Sequence, residues 1–240
     1  INKLNNAIRG QNYIYHFAGV SDIQESNSFP LKAIKYNIVG TTNVLEAIKK
    51  NKYTKRLIFA SSIYARSKQG GFYSTTKRTC ESLIEDYSNT FNIDFNILRF
   101  GSLYGLRSDN TNGLRLIIKD SLINKRISYT GSKKTKRRYI HVLDATRACA
   151  DILKNKYKDQ HVIITGKKEI KITEFLKNLS KILNISGKIN FKNKKEIGHY
   201  ETTPFTYKFK KGKNYNFKSS INMNIGILEL IREIRNERNI

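Results

Sequence analysis

Between Lys55 and Phe100 the chain reads KRLIFASSIYARSKQGGFYSTTKRTCESLIEDYSNTFNIDFNILRF. It opens on a run rich in apolar residues, Lys55–Ser62 (KRLIFASS), and closes on another, Phe95–Phe100 (FNILRF). Each has the length and apolar make-up of a buried strand. Between them Cys80, Leu83, Ile84, Tyr87 and Phe91 recur at helical spacing. Strand, helix and strand in that order predict two parallel strands joined by a crossover helix. The reading extends upstream. Asn12–Gly19 (NYIYHFAG) predicts a buried strand ending at a glycine, and after Pro30 the residues Leu31, Ile34, Ile38, Leu45 and Ile48 predict one helical face closed by Lys49-Lys50. The fold class expected is therefore α/β, a doubly wound parallel sheet.

Beyond Gly105 the pattern loosens. Leu114, Ile117, Ile118, Leu122 and Ile123 predict a helix, Ile127–Gly131 a short strand, Val142–Lys154 a helix and Gln160–Thr165 a strand. Thr173 is a candidate cap for a helix carrying Leu176, Leu179, Ile182 and Leu183. Residues 187–220 show little periodicity, and Ile227, Leu228, Ile231 and Ile234 predict a last helix. The second half reads as a smaller lobe built onto the sheet.

Composition sets bounds. The 240 residues carry 45 Lys+Arg against 19 Asp+Glu, a formal charge of +26, with 39% hydrophobic residues, too many for a wholly disordered chain. A selected nucleic-acid surface concentrates Arg and aromatics on one face. Here the excess is 31 Lys beside 32 Ile and 25 Asn, scattered along the chain, with denser runs at 133–138, 192–195 and 208–218. Residues with A/T-heavy codons account for that better than nucleic-acid binding does. The longest stretch free of Asp, Glu, Lys and Arg, Gly10–Ser21, falls short of the roughly 20 apolar residues of a spanning helix. Ile1–Asn6 has no apolar core of a signal peptide, and Cys80 and Cys149 fit neither a disulfide framework nor a metal site. No metal or membrane partner is expected, and the location expected is the cytoplasm.

The chemistry centres on Tyr73 and Lys77. Residues at i and i+4 share a helical face, so an ammonium can stand beside a phenol and favour its ionised form as a general base. Spacing alone is weak: with 14 Tyr and 31 Lys, chance supplies roughly two such pairs, and the chain has four, Tyr64/Lys68, Tyr73/Lys77, Tyr129/Lys133 and Tyr207/Lys211. Three of them run into or across glycines, whereas Tyr73/Lys77 opens a sustained amphipathic helix just after the strand ending Ser61-Ser62. Groups at the carboxyl ends of parallel strands line the ligand crevice. Ser62 is thus a candidate hydrogen-bond donor to the oxygen that Tyr73 deprotonates, the plain alternative being a helix-start aromatic and a capping serine. His16 could touch a cofactor or pack within its strand. His141 reads as structural, and His161 and His199 lack partners at metal spacing.

Six segments together resemble a known family. They are Tyr15-His-Phe-Ala-Gly19, Tyr36-Asn-Ile-Val-Gly-Thr-Thr-Asn-Val-Leu-Glu-Ala47, Ser61-Ser62, Tyr73-x-x-x-Lys77, Leu98-Arg-Phe-Gly-Ser-Leu-Tyr-Gly105 and Arg137-Arg-Tyr-Ile-His-Val-Leu-Asp144. In this order they resemble the extended short-chain dehydrogenase/reductases, and within them the NAD-dependent epimerase/dehydratase group that acts on nucleotide sugars. The resemblance implies a Rossmann-like sheet, with residues 1–105 the remainder of a cofactor-binding domain to which the strand near 160–165 returns. Residues 106–240 would be mainly a substrate-binding lobe. It implies NAD as cofactor, NADP being the alternative, with Phe17, Ala18, Gly19, Ser61, Tyr73, Lys77 and Phe100 around it. Ser62, Tyr73 and Lys77 would be catalytic, and Ser102 and Arg137 would meet a nucleotide-sugar substrate, the arginine at its diphosphate.

The departures carry expectations too. Ile63-Tyr64-Ala65 follow Ser62 where a dehydratase has an acid, so an epimerase or ketoreductase is expected over a dehydratase. Ser102 and Leu106 stand where the family commonly has asparagine and proline. No Gly-x-x-Gly-x-x-Gly opens the chain, and family order would put that turn before Ile1, roughly 60 residues at ~30 per strand–helix–strand unit. The expectation is an N-terminally truncated sheet that by itself holds little dinucleotide and associates through an uncovered edge. A homodimer is expected through the helices of Ile34–Ile48 and Cys80–Phe91, with Val39, Val44 and Phe91 as surplus apolar residues. The rival reading is an inactive epimerase-like fold serving as a basic binding protein for nucleic acid or a partner.

Overall fold

The computed structural model describes residues 2–67, 69–187, 189–192 and 212–237. Lys68, His199 and the Tyr207/Lys211 pair lie outside the described residues. The chain divides into two compact units. The first takes in the described residues of Ile1–Phe100, Cys149–Ile164 and Pro204–Tyr215, and the second those of Gly101–Ala148, Thr165–Thr203 and Asn216–Ile240.

The first unit is built on a five-stranded, wholly parallel sheet. Strand β1 (Tyr13–His16) pairs with β2 (Arg56–Ser62), which pairs with β3 (Phe95–Phe100). The Gln160–Ile164 strand follows β3, and the short Lys213–Asn214 strand closes the row. β2 and β3 are buried on both faces, which is why they read as near-continuous apolar runs. In register, Ser61 stands beside Arg99 and Ser62 beside Phe100. The Gly71–Phe91 helix lies over the sheet and contributes Cys80 and Ile84 to a core shared with Val44, Leu45, Ile48, Leu57, Phe59 and Ile97.

The helical segment that opens at Pro30 corrects one expectation. Leu31 is 83% exposed, and Ile34 and Val39 are exposed as well, while Ala33, Asn37, Thr41, Leu45 and Ile48 are buried. Between the α-helices Pro30–Ala33 and Gly40–Lys50, residues Ile34–Val39 form a π-helix. Its wider i→i+5 turn shifts the inward stripe relative to a 3.6-residue period. Val44 faces the core too, so it is not among the surplus apolar residues; Val39 and Phe91 are.

The second unit packs the helices Gly113–Asn124, Ile172–Ile182 and Met223–Asn236 around Ile118, Leu176, Leu179, Ile227 and Leu230, all fully buried. Three two-stranded pairings complete it: Ser102–Tyr104 with Tyr139–His141, Lys136–Arg137 with Ile170–Lys171, and Ser128–Thr130 with Asn190–Lys192. Thr173 does not cap the second helix. Lys171 holds the N-cap place without a side-chain bond, and Thr173 sits inside the first turn. The helix from Val142 ends at Asp151 and not at Lys154. Among the described residues no helix is long and apolar enough to cross a membrane.

Candidate active site

Ser62, Tyr73 and Lys77 come together at the carboxyl end of β2. Ser62 is the last residue of its strand. Its hydroxyl oxygen accepts the Tyr64 N–H at 3.2 Å, capping the 3-10 turn Ile63–Arg66, and it hydrogen-bonds the Tyr73 hydroxyl as well. The capping serine and the tyrosine's partner are the same residue. Tyr73 and Lys77 are both buried in the first turns of the Gly71–Phe91 helix. That helix begins after Gly70 in a left-handed conformation, and its early N–H at Phe72 is satisfied by Asn27 Oδ1 at 3.0 Å.

Lys77 Nζ donates to the Ala60 carbonyl at 2.8 Å and lies 4.9 Å from the Phe59 ring centre and 6.0 Å from that of Tyr73. Burial pushes its pKa down, opposed by Cys80 and Glu81. Burial likewise pushes the Tyr73 phenol up, opposed by the Ser62 hydrogen bond. The expectation that Lys77 lowers the phenol's pKa is thus corrected. Taking the hydroxyl out of water outweighs any charge effect, and the group that favours the phenolate is Ser62.

The predicted cofactor residues Phe17, Ala18 and Gly19 are exposed just beyond β1. The Phe17 ring meets that of Phe100 edge-on, 6.1 Å between centres. His16 is buried and hydrogen-bonds Thr41 Oγ1 at 3.0 Å; burial and the nearby Lys77 charge lower its pKa to about 4, so it is neutral at pH 7. Ser61 stands apart from this cluster. Successive strand side chains alternate, and its hydroxyl donates to Glu81 Oε1 at 2.5 Å. Ser102 and Arg137 belong to the second unit, where the Ser102 N–H donates to the Arg138 carbonyl at 3.3 Å.

Two buried polar residues have roles that no sequence motif marks. Asn37, on the π-helix, accepts the Val20 N–H at 2.7 Å and donates to the Val20 carbonyl at 3.0 Å and to Thr76 Oγ1 at 2.9 Å. It fixes the Phe17–Val20 turn to the Tyr73 helix. Gly19 has φ +155°, and a Cβ there would come 2.7 Å from Asn37 Oδ1, so only glycine fits the turn. The second is Glu81. The signal for both was a polar residue at an inward helical position. His161, one of the histidines set aside, reaches Glu85 at 2.8 Å.

The residues fit the nicotinamide end of a dinucleotide. An open glycine turn, an aromatic pair and a three-donor ammonium with one donor engaged all stand beside a serine–tyrosine hydroxyl pair. A parallel sheet with a tyrosine–lysine helix after its second strand defines the class: short-chain dehydrogenase/reductase-like. Residues 1–165 match the model of the NAD dependent epimerase/dehydratase family, and the chain belongs to that family.

Its relatives and structural neighbours agree. It is 24% identical over 243 aligned residues to a UDP-glucuronate 4-epimerase of Thermodesulfobacterium geofontis, covering 92% of this chain and 75% of the relative. An uncharacterized UDP-glucose epimerase of Bacillus subtilis is 28% identical over 196, covering 75% of this chain; the chain spans 60% of that relative's length. A UDP-glucuronic acid 4-epimerase from Bacillus cereus, solved with UDP-glucuronic acid and NAD, superposes with a TM-score of 0.83 at 22% identity, over 98% of this chain and 78% of the other. A dTDP-glucose 4,6-dehydratase from Streptomyces venezuelae gives 0.82 at 18% identity, over 99% and 77%. At such identities the superpositions establish the fold.

Proposed function

We propose that the chain is an NAD-dependent oxidoreductase acting on a sugar carbon of a nucleotide sugar, with 4-epimerisation its reaction. The observation that carries this is Ser62 at the end of β2 paired with the Tyr73 phenol, whose pKa it holds down, and Lys77 one helical turn along, bonded to Ala60 of the same strand. Bound NAD would supply the hydride acceptor and, on return, the hydride donor. Tyr73 takes the proton from the sugar hydroxyl and later gives it back. Ser62 donates to the same oxygen. Lys77, anchored on Ala60, offers its remaining donors to the nicotinamide ribose. Phe17, Ala18, Gly19 and Phe100 bound the nicotinamide, and Ser61 supports the strand end beneath it. Ser102 and Arg137 are the substrate contacts, the guanidinium suited to a diphosphate. Ile63-Tyr64-Ala65 place no acid after Ser62, which favours epimerisation over loss of water.

Residues 1–105, with the strand near 160–165, act as the cofactor domain and 106–240 mainly as the substrate lobe. Exposed Leu31, Ile34, Val39 and Phe91 on the two outer helical segments support a homodimer that buries them. The site of action is the cytoplasm. Incubating the protein with NAD and UDP-glucose or UDP-glucuronate, and resolving the products by chromatography, tests the reaction: the 4-epimer is expected. A reduced product formed at the expense of NADH or NADPH would instead assign a ketoreductase. Light scattering tests the dimer, and a monomer at micromolar concentration would exclude it.

A further inference from the structure

The Tyr73 helix is tied to the sheet by one carboxylate. Glu81 lies two turns beyond Tyr73, one beyond Lys77, and is buried. Arg99, on β3 and 1% exposed, donates to it through Nε at 3.0 and 3.3 Å and through Nη2 at 2.6 Å. Ser61, on β2 and beside Arg99 in register, donates to the same carboxylate at 2.5 Å. One side chain thus joins the helix that carries Tyr73 and Lys77 to the two strands whose ends carry Ser62 and Phe100.

We propose that Glu81 is a positioning residue: its carboxylate, shared between Arg99 and Ser61, sets where Tyr73 and Lys77 stand against Ser62. The inference rests on the catalytic reading of those three residues. A fork between guanidinium and carboxylate fixes both distance and orientation. The hydroxyl of Ser61 satisfies a further lone pair, so the carboxylate is fully engaged where an unpaired one would be costly. A site built from one helix and two strands needs such a tie, because sliding the helix by a fraction of a turn would carry the phenol away from Ser62.

The charges around Lys77 make its titration a second readout of this tie. From its own helix Tyr73, Cys80 and Glu81 face it, and from β1 the neutral His16. Beyond Glu81 stand Arg99, Arg66 and His161, the last paired with Glu85. Cys80 and then Glu81 raise the Lys77 pKa against the burial that lowers it.

Three variants test this: Glu81→Gln, the apolar pair Glu81→Leu/Arg99→Met, and Ser61→Ala. The pair is included because exchanging both partners of a buried ion pair for apolar residues often preserves the fold, whereas removing one partner strands a charge. Titration of Lys77 by 13C NMR of its ε-carbon, assigned with Lys77→Arg, is made on protein without substrate or cofactor, beside thermal melting. In both Glu81 variants Lys77 should lose its proton at lower pH than in the parent. Ser61→Ala should leave that titration in place and lower kcat about tenfold at unchanged cofactor affinity, part of the roughly 10²-fold that a misplacement of about 1 Å can cost. Parent-like Lys77 titration in a folded Glu81 variant, or parent-like kcat in Ser61→Ala, overturns the positioning role. If neither Glu81 variant folds, Ser61→Ala decides. A parent protein without turnover would count against the proposed reaction, with the Lys77 titration still judging Glu81.

Discussion

The two units bury different things. In the first, the end of a parallel sheet encloses His16, Asn37, Thr41, Ser62, Lys77, Glu81 and Arg99, and each has a hydrogen-bonding partner. In the second, three helices meet through leucine, isoleucine and phenylalanine. Its buried Arg115 reaches outward to Glu233 and Glu237, whose carboxylates keep contact with water. Buried polar groups are expensive to misplace and specific when satisfied. Apolar helix faces are cheaper to vary and insensitive to a proton. The first unit should therefore fail chiefly by loss of chemistry and the second chiefly by loss of packing, while acid reaches both through a buried histidine, His16 in the first and His141 in the second.

The largest expected effect breaks the first unit's chemistry. Tyr73→Phe removes the proton acceptor and leaves the ring, so turnover should fall at least 10²-fold, the scale of a general base, with melting little changed. Normal turnover there beside a dead Tyr64→Phe would move the role to Tyr64. Because burial holds the phenol above its usual range, kcat should rise with pH as Tyr73 loses its proton. Ser62 opposes that rise in pKa, so Ser62→Ala should move the limb to higher pH; movement the other way would mean that Ser62 does not stabilise the phenolate.

Next is packing in the second unit. Leu176 is fully buried between helices, and Leu176→Ala should cost about 2–5 kcal/mol by removing contacts and leaving a cavity. Chemical denaturation measures it. A loss below about 1 kcal/mol would mean that the site collapses around the smaller residue, and the contrast between the units would be weaker than drawn.

The pH response is shared, since burial lowers the pKa of His141 in the second unit as it does that of His16 in the first. His16 has its pKa lowered from 6.5 to about 4 in the folded protein. The unfolded chain then binds the proton that the folded one refuses, so stability is full above about pH 6.5 and falls as pH drops towards about 4. A depression of that size corresponds to about 3 kcal/mol as an upper figure, since partial opening would let water reach the ring. Burial also lowers His161, which acts in the same direction. His16→Gln keeps a group that can bond Thr41 and should flatten much of the acid loss. An unchanged acid slope in that variant would assign the loss to other groups.

How much of this could be read from residues alone follows the same division. The apolar runs Leu57–Ala60 and Ile97–Leu98 announce buried strands because both their faces are covered. The Tyr73/Lys77 pair stood out only by its neighbours, a strand before it and a long amphipathic run after it. The π-helix at Ile34–Val39 was invisible, since a wider turn depends on what the backbone packs against and leaves no periodicity of its own. That is why the sequence pattern points Leu31 and Ile34 inward and Val44 outward, against the burial observed. Glu81 and Arg99 lie 18 residues apart, and a charge pair at that separation has no local spacing to betray it. Thr173 failed as a cap because the Ile170–Lys171 strand runs directly into its helix.

The smallest effect is at a cap, and it sharpens the contrast by testing a polar group of the second unit. Asn222 precedes the helix Met223–Asn236, and its side-chain oxygen accepts the Asn224 N–H at 2.9 Å. The first turn of a helix leaves N–H groups without partners, and such a cap satisfies one of them. Asn222→Ala should cost about 1 kcal/mol, less than the core leucine because the freed N–H can turn to water. The loss should not vary with pH between 4 and 7, since neither the amide nor the backbone titrates there. Denaturant midpoints at both ends of that range check both statements. A loss as large as that of Leu176→Ala, or one that grows on acidification, would show that the cap is coupled to the titrating groups beside it, Asp144, which accepts the Ile221 N–H, or His141, which Glu229 of the same helix approaches.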